Sequence, residues 1–415
     1  MVTKNNSIIK KVFLIFIFGL LLRLGYVLFF PQIDVHRGDS FSYKSIAENI
    51  LVKHSYSRDG KGPDVFWAPG YPLFISGVYK IFGMDDSAVR IIQSLLSALV
   101  ILMVYYLGKK IFNANAGIFS AMITAVYPGF IGYSGLLLPQ VLSMFLTTLF
   151  IFLIIKFNSN MKLWLSLVLG FIAGYSSLVR AELFLFWTIF LLTMPFIANY
   201  NKRLIKFLIM IFITMCFVIS LWTIRNYRVF GKPILISVHY GDLIWYSTWK
   251  GEWLEYRDEE PYVSIGRGLG QVEAADAYFK AGINNIKEHP FIYLKMCIKR
   301  LYRFWLTGHS NIFYFMRGSF LNYLREKAYF IFFIKLIMLF LNVSLILLGF
   351  LGIKIAYVNF TEKRKILSCI LLPILFFVTL HFFLFATPRY AIPIMPFIII
   401  FSSCGIIFKL GKIHI

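Results

Sequence analysis

Ten apolar runs, most of them close to twenty residues long, recur along the chain and constrain its fold more than any other feature. A helix of about 20 residues crosses the hydrocarbon core of a bilayer, so each run predicts a transmembrane helix. Hydrophobic residues make up 59% of the sequence and charged residues 15%, which leaves too little polar surface for a soluble protein. We therefore predict an all-α polytopic membrane protein with spans near residues 12–30, 89–108, 115–133, 137–155, 163–179, 183–198, 207–223, 328–353, 366–385 and 391–408.

Lysine and arginine in the short loops predict the orientation of the bundle. Placing the N-terminus in the cytoplasm leaves Glu362 as the one inner acid among the 19 acidic residues, while sixteen basic residues lie on that side. Basic inner loops are the usual pattern in membrane proteins. We expect both termini in the cytoplasm. The first run passes Arg23 and reaches Phe30 without a small-residue cleavage site, so we expect a span there and no cleaved signal peptide.

Three regions follow from this topology. They are an N-terminal transmembrane module (1–223) that contains a first outer loop (31–88), an extracytoplasmic segment (224–326) and C-terminal transmembrane helices (327–415). The net charge of +23 does not indicate nucleic-acid binding, because inner-loop basicity facing anionic lipid explains it and no nucleic-acid motif is present. The four cysteines and seven histidines have no metal-ligand or disulfide spacing, so we expect no metal and no cofactor.

Two outer regions contain patterns typical of surface helices. In "RGDSFSYKSIAENI", Asp39, Tyr43 and Ala47 are four residues apart and share one helical face. The prolines of "WAPGYPLFISGVYKIFG" (67–83) suit a turn followed by a helix on the membrane surface. Residues 273–305 read as two helices broken at His289-Pro290. The second of them mixes basic and apolar residues, which suits the membrane interface or, alternatively, the guidance of an anionic acceptor.

Four predicted outer junctions each pair an arginine with polar or aromatic residues. An arginine at a span end commonly reaches for lipid headgroups, and this explains any one of them. Four together favour a shared phosphate ligand, because the guanidinium fork matches phosphate oxygens. The residues are Arg90, Arg180 with Glu182, Arg225, and Arg389 with Tyr390.

A lipid-phosphate-linked sugar would suit such a site. Its phosphate is a good leaving group that cations can stabilise, so one carboxylate is sufficient to take the proton of an acceptor hydroxyl. Asp39, with Tyr43 beside it, is the first choice for that carboxylate, and Asp34 is the second.

Six motifs, in order, resemble bacterial glycosyltransferase family 39, the relatives of the dolichyl-phosphate-mannose protein mannosyltransferases and the lipid A aminoarabinose transferases. The resemblance implies a GT-C fold in the bacterial cytoplasmic membrane. It also implies an inverting transferase that uses a polyprenyl-phosphate sugar at the outer face, with Asp39 as the key carboxylate and with Arg389 and Tyr390 at the donor phosphate. The motifs are "DSFSYKSIAENIL", "WAPGYPLFISGVYKIFG", "VRIIQSLLSAL", "GFIAGYSSLVRAE", "WTIRNYRVFGKPI" and "PRYAIPIMP".

One position departs from the family pattern, because Gln140 stands where many relatives carry an acid. A glutamine can donate or accept a hydrogen bond but cannot take a proton at neutral pH. Two alternatives therefore stay open: a flippase or carrier of lipid-linked sugar, and a non-catalytic binder. The expected partners are a polyprenyl-phosphate-linked donor of a hexose or pentose, a lipid, protein or glycan acceptor, and membrane lipids.

Overall fold

The computed structural model describes residues 2–30, 38–156, 162–197, 202–248, 262–306 and 310–409. Asp34 lies outside them. The regular structure of the described residues is helical, with short 3₁₀ turns at Tyr314–Met316, Thr361–Lys363 and Pro388–Ile394. The α-helices are α1 (Val2–Phe29), α2 (Gly38–Val52), α3 (Gly70–Phe82), α4 (Asp86–Ile111), α5 (Ala114–Val126), α6 (Pro128–Ser134), α7 (Gln140–Lys156), α8 (Leu163–Val179), α9 (Glu182–Ile197), α10 (Lys202–Phe230), α11 (Tyr240–Tyr246), α12 (Tyr262–Gly266), α13 (Gln271–Glu288), α14 (Pro290–Leu306), α15 (Phe320–Arg325), α16 (Tyr329–Asn359), α17 (Arg364–Phe383) and α18 (Met395–Lys409).

Each of the ten predicted spans coincides with an apolar helix or helix pair. Within the described residues, six helices are long and apolar enough to cross a bilayer, namely α1, α4, α10, α16, α17 and α18 with its preceding turn. The pair α5 and α6 forms a seventh candidate, and α7, α8 and α9 are apolar but shorter. The all-α multi-pass membrane architecture is confirmed, and full crossing by the three shorter helices stays a prediction.

The span expected at 115–133 is not one continuous helix. It breaks between α5 and α6, which are inclined by 46°, because Pro128 has no N–H group to continue the helix. The break leaves backbone carbonyls that need partners at membrane depth. The buried Arg23 guanidinium of α1 supplies them, donating to the carbonyls of Thr124 and Ala125 at 2.9 Å each.

Small residues allow the apolar helices to approach each other closely. A Cβ at Gly170 of α8 would lie 2.4 Å from Thr214 of α10, and one at Gly174 would lie 2.7 Å from Val218. Small residues four apart at a helix interface are a common packing device in membranes, where van der Waals contact replaces the hydrophobic effect. In α18 and the turn before it, 89% of the most apolar stretch is buried. The helices therefore form a tightly packed bundle that can hold side chains at its ends in fixed positions.

Helices are present in the two regions where the sequence predicted surface helices, and their position at the membrane surface stays a prediction. The first outer loop contains α2 and α3, and the break at His289-Pro290 separates α13 from α14. Tyr293 and Arg300 of α14 hold the outer segment against the end of α17. Their side chains donate to the carbonyl oxygen of Phe383 at 2.5 and 2.9 Å, and Arg300 also donates to the Ser247 carbonyl after α11. The outer segment is thereby fixed next to the turn that carries Arg389.

Candidate active site

A cavity of about 320 Å³ lies where the outer loop, the outer segment and several apolar helices meet. The first turn of α2, the start of α7 and the α8–α9 junction form one part of its wall. The end of α17, the turn at 388–394 and residues 237–243 form the rest. Its polar and aromatic lining includes Asp39, Tyr43, Trp67, Gln140, Arg180, Glu182, His239, His381, Arg389 and Tyr390.

Asp39 and Arg389 form an ion pair in this cavity, although 350 residues separate them in the chain. Nη1 of Arg389 lies 2.5 Å from Oδ2 of Asp39, and both side chains keep part of their surface accessible. Asp39 is in the first turn of α2, while Arg389 lies in the 3₁₀ turn that leads into α18. A carboxylate and a guanidinium are thus held together at the cavity wall.

A second ion pair stands at the α8–α9 junction. Nε of Arg180 lies 2.5 Å from Oε1 of Glu182, and the Arg180 guanidinium carbon lies 4.8 Å from the centre of the Tyr390 ring. The same ring also stacks on His381, with ring centroids 4.4 Å apart, and its centre lies 5.3 Å from the Arg389 guanidinium carbon. The Arg180 and Arg389 guanidinium groups therefore lie near the same ring, and the electron-rich face of Tyr390 attracts their positive charge.

Several buried polar atoms of this cavity have no hydrogen-bond partner among the described residues. Nη1 of Arg180 and Nε1 of Trp67 are unpaired donors, and Oε1 of Gln140 is an unpaired acceptor. His381 adds Nε2, and since its Nδ1 lies 3.0 Å from the Phe385 carbonyl, the proton is expected on Nδ1 and a lone pair on Nε2. Buried polar atoms without partners are uncommon in folded proteins. Four around one cavity indicate a site for a polar ligand.

The largely buried Tyr43 side chain forms part of the cavity wall. It is 8% exposed and packs edge-on against Trp67 and Tyr71, with ring centroids 4.9 and 5.1 Å away. Burial, with a smaller effect of the Asp39 charge, raises the pKa of Tyr43 well above its usual value. Its phenol therefore stays protonated at neutral pH. A protonated phenol next to Asp39 can donate a hydrogen bond without adding negative charge.

The expectation that four arginines converge is corrected for two of them. Arg90 does not line the cavity, because its Nε donates to the Gly135 carbonyl at 3.0 Å. Arg225 is also absent from the lining. It donates to the carbonyls of Asp64 and Tyr56 at 3.0 and 3.3 Å, and so joins α10 to the first outer loop. Carbonyls left over where helices and loops end provide both arginines with partners, which explains their positions.

Four of the polar and aromatic lining residues were not predicted as ligands from the sequence, namely Trp67, Gln140, His239 and His381. Gln140 was noted only as a departure, although it opens α7 at the cavity wall. His239 follows no recognisable spacing and is placed by aromatic contacts, 4.7 Å from Phe66 and 5.8 Å from Trp67. His381 lies in an apolar run, where a lone histidine has no sequence signal for function. Among the described residues, no group of three or more His, Cys, Asp or Glu side chains is placed to hold a metal ion.

Comparisons with known proteins agree with this architecture. Residues 66–222 match the sequence profile of the family described as dolichyl-phosphate-mannose-protein mannosyltransferase. No curated protein sequence matches the chain. An oligosaccharyltransferase of Archaeoglobus fulgidus in the apo form superposes with a TM-score of 0.60 at 16% identity, covering 98% of this chain and 51% of that one.

Two further solved structures are similar. The oligosaccharyltransferase AglB of Archaeoglobus fulgidus, in complex with an inhibitory peptide and a dolichol-phosphate, has a TM-score of 0.60 at 15% identity, over 99% of this chain and 51% of that one. ArnT of Cupriavidus metallidurans bound to undecaprenyl phosphate has a TM-score of 0.47 at 10% identity, over 95% and 77%, too distant to bear on the fold. The chain spans about half the length of the archaeal enzyme.

Proposed function

Because the chain matches a mannosyltransferase profile and has the GT-C fold expected from its motifs, we propose that it is a membrane glycosyltransferase. It moves a sugar from a polyprenyl phosphate to an acceptor hydroxyl on a lipid, protein or envelope glycan, and it inverts the anomeric carbon. The observation that carries this proposal is the grouping of the Asp39–Arg389 pair with the unpaired Arg180 Nη1 in one cavity.

The two arginines are assigned to the donor phosphate. Arg180 has a buried N–H group free to donate, and Arg389 has a second guanidinium nitrogen that makes only a 3.5 Å contact with the Tyr390 hydroxyl. Two guanidinium groups on one aromatic ring can bind phosphate oxygens from adjacent directions. The dolichol-phosphate bound to the archaeal oligosaccharyltransferase supports a lipid phosphate as the ligand here.

The reaction needs one base and a stabilised leaving group. The acceptor oxygen forms a bond to the anomeric carbon while the bond from that carbon to the phosphate oxygen breaks. The electron pair leaves with the phosphate, whose added charge Arg180 and Arg389 stabilise. The acceptor proton passes to Asp39. Phosphate bound to Arg389 competes with the Asp39 carboxylate for the same guanidinium, so donor binding lets the carboxylate turn toward the acceptor hydroxyl.

The test compares envelope glycolipids and glycoproteins by mass spectrometry in a deletion strain complemented with wild type, Asp39→Asn or Asp59→Asn at matched expression. Asp59 is an exposed acid of the same outer loop and does not line the cavity. We expect a sugar-sized mass to disappear on deletion and to return with wild type and Asp59→Asn but not with Asp39→Asn. Full restoration by Asp39→Asn would contradict the proposed role of Asp39 as the base.

Gln140 favours a second candidate, a protein that binds lipid-linked sugar without transferring it. Such a protein would retain polyprenyl phosphate in purified form, yet the deletion strain would lose no transferred sugar. A carrier that moves the lipid-linked sugar across the bilayer has less support. Arg23 and Lys335, the two cations predicted well inside spans, are buried and bonded to backbone carbonyls, so neither marks a polar path through the bundle.

A further inference from the structure

A second cavity, of about 430 Å³, lies beside the first and outside the apolar helices. The first outer loop and the outer segment form its two walls. Phe66 lines both cavities, so it forms part of the wall between them. The polar and aromatic lining consists of Arg58, Asp64, Phe66, Asp242, Arg267, Gln271 and Tyr278.

The shared wall is held in place by hydrogen bonds on both sides. Oδ1 of Asp64 accepts from the backbone N–H groups of Phe66 at 2.8 Å and Trp67 at 3.3 Å. The next residue, Val65, donates to Oε1 of Gln271 at 2.9 Å and accepts from the N–H group of Val238 at 3.1 Å. These hydrogen bonds join the first outer loop (31–88) to the extracytoplasmic segment (224–326). The cavity is therefore formed by a specific contact between the two regions.

The lining of this cavity has balanced charge. Asp64 and Asp242 are each 2% exposed, and the exposed Arg58 and Arg267 stand with them at the cavity. Burial raises the pKa of Asp64 above its ordinary value, against the lowering effect of the Trp67 and Phe66 N–H groups. An anionic ligand would meet two carboxylates, and a cationic ligand would meet two guanidinium groups. Neither charge is favoured.

A neutral polyol fits this set of groups. Each hydroxyl can donate to a carboxylate and accept from a guanidinium at the same time. Phe66 and Tyr278 add aromatic surface against which the C–H face of a sugar ring can pack. Glycine at residue 266 lets the Tyr278 side chain pack closely against the backbone, because a Cβ there would lie 2.3 Å from the Tyr278 hydroxyl oxygen.

We propose that this second cavity binds a neutral, hydroxyl-rich glycan, which serves as the acceptor of the transfer reaction. The assignment of an acceptor rests on the proposed function, whereas glycan binding itself does not. A glycan seated against Phe66 has its next sugar unit at the edge of the cavity that holds Asp39. The acceptor would therefore approach from the outer segment, while the donor approaches from the apolar helices.

The test measures binding to the full-length protein in nanodiscs. The probes are arrayed neutral trisaccharides of glucose, mannose, galactose and N-acetylglucosamine, the same trisaccharides carrying a phosphate, and short peptides containing serine and threonine. We expect binding to a neutral trisaccharide that weakens about tenfold or more in Arg58→Gln/Arg267→Gln, since each guanidinium donates charge-assisted hydrogen bonds. The control variant is Lys61→Gln, which changes an exposed residue of the same loop that does not line the cavity. It should bind like wild type.

Three results would overturn the inference: no binding of neutral saccharides by wild type, tighter binding of phosphorylated saccharides or peptides, or wild-type affinity in the double variant. Acceptor KM separates this inference from the proposed function. If Asp39→Asn abolishes transfer while the double variant keeps its glycan affinity and KM, the transferase proposal stands and the acceptor site falls. If the double variant loses glycan binding while Asp39→Asn transfers normally, the glycan site stands and the proposed mechanism falls.

Discussion

Arginines in this protein serve two purposes that the sequence alone does not distinguish. Arg180 and Arg389 face a cavity with carboxylate partners, whereas Arg90 and Arg225 donate to backbone carbonyls. The acceptors of the second pair lie 45 and 161 residues away in the chain. Every residue has a backbone carbonyl, so no side-chain pattern in the sequence identifies the ones that will bind an arginine. Only the fold shows which carbonyls lack a helical partner.

The proposed role of Arg180 at the donor phosphate predicts how its variants change the transfer rate. Arg180→Gln should lower transfer by about 10- to 100-fold, because it removes charge-assisted hydrogen bonds worth about 1.5–3 kcal/mol. Arg180→Lys should recover only part of the loss, since lysine keeps the charge but lacks the planar fork. The measurement is initial transfer rate against donor concentration in reconstituted vesicles.

The matched control is Arg228→Gln, an exposed arginine in the last turn of α10 that does not line the cavity. It should transfer at the wild-type rate. Full recovery by Arg180→Lys would mean that charge alone matters at this position, and an unchanged rate in Arg180→Gln would remove Arg180 from the donor site.

Helix positions were predictable from sequence where local chemistry determines them. Pro290 predicted the start of α14, and the four-residue spacing of Asp39 and Tyr43 predicted α2. The break between α5 and α6 was missed because residues 115–133 read as one apolar run. Proline is tolerated in such runs when another group satisfies the freed carbonyls. Here that group is Arg23, which is about 100 residues away and has no local signal.

Helix α14 carries an exposed apolar stripe flanked by lysines. Phe291, Leu294 and Ile298 are exposed along one face, with Lys295 and Lys299 next to them, while the opposite face holds the buried Arg300 against α17. An amphipathic helix of this kind lies in the interface of a bilayer, with its apolar stripe among the acyl chains. Lysines at that depth attract anionic headgroups, at about 1 kcal/mol each.

We therefore expect Lys295→Gln/Lys299→Gln to retain fewer anionic lipids. Native mass spectrometry of protein extracted from vesicles of phosphatidylglycerol and phosphatidylcholine would give the ratio of the two lipids bound. Lys280→Gln/Lys287→Gln is the matched control, because these exposed lysines lie on α13. An equal loss of phosphatidylglycerol in both double variants would show a general charge effect and contradict a role specific to α14.

Both cavities lie at one end of the helix bundle. The opposite end is marked by the contact between the α4–α5 and α16–α17 junctions. Nζ of Lys363 donates to the Ile111 carbonyl at 2.7 Å, and the rings of Phe112 and Phe360 lie 5.2 Å apart. The basic residues of the short loops predict that this opposite end faces the cytoplasm, and the orientation stays a prediction. The sequence could not predict the cavities, because they depend on how loops 200 residues apart pack together.

The proposed orientation makes a prediction for two exposed positions at opposite ends. In a Cys216→Ala background, Lys61→Cys should react with a membrane-impermeant maleimide on intact cells, and Glu362→Cys should react only after permeabilisation. The other three cysteines are buried and should contribute little background. Labelling of Glu362→Cys on intact cells would place the basic loops outside, and both cavities would then face the cytoplasm. A donor and acceptor of the cell envelope could not meet there, so this result would contradict the proposed reaction as well as the orientation.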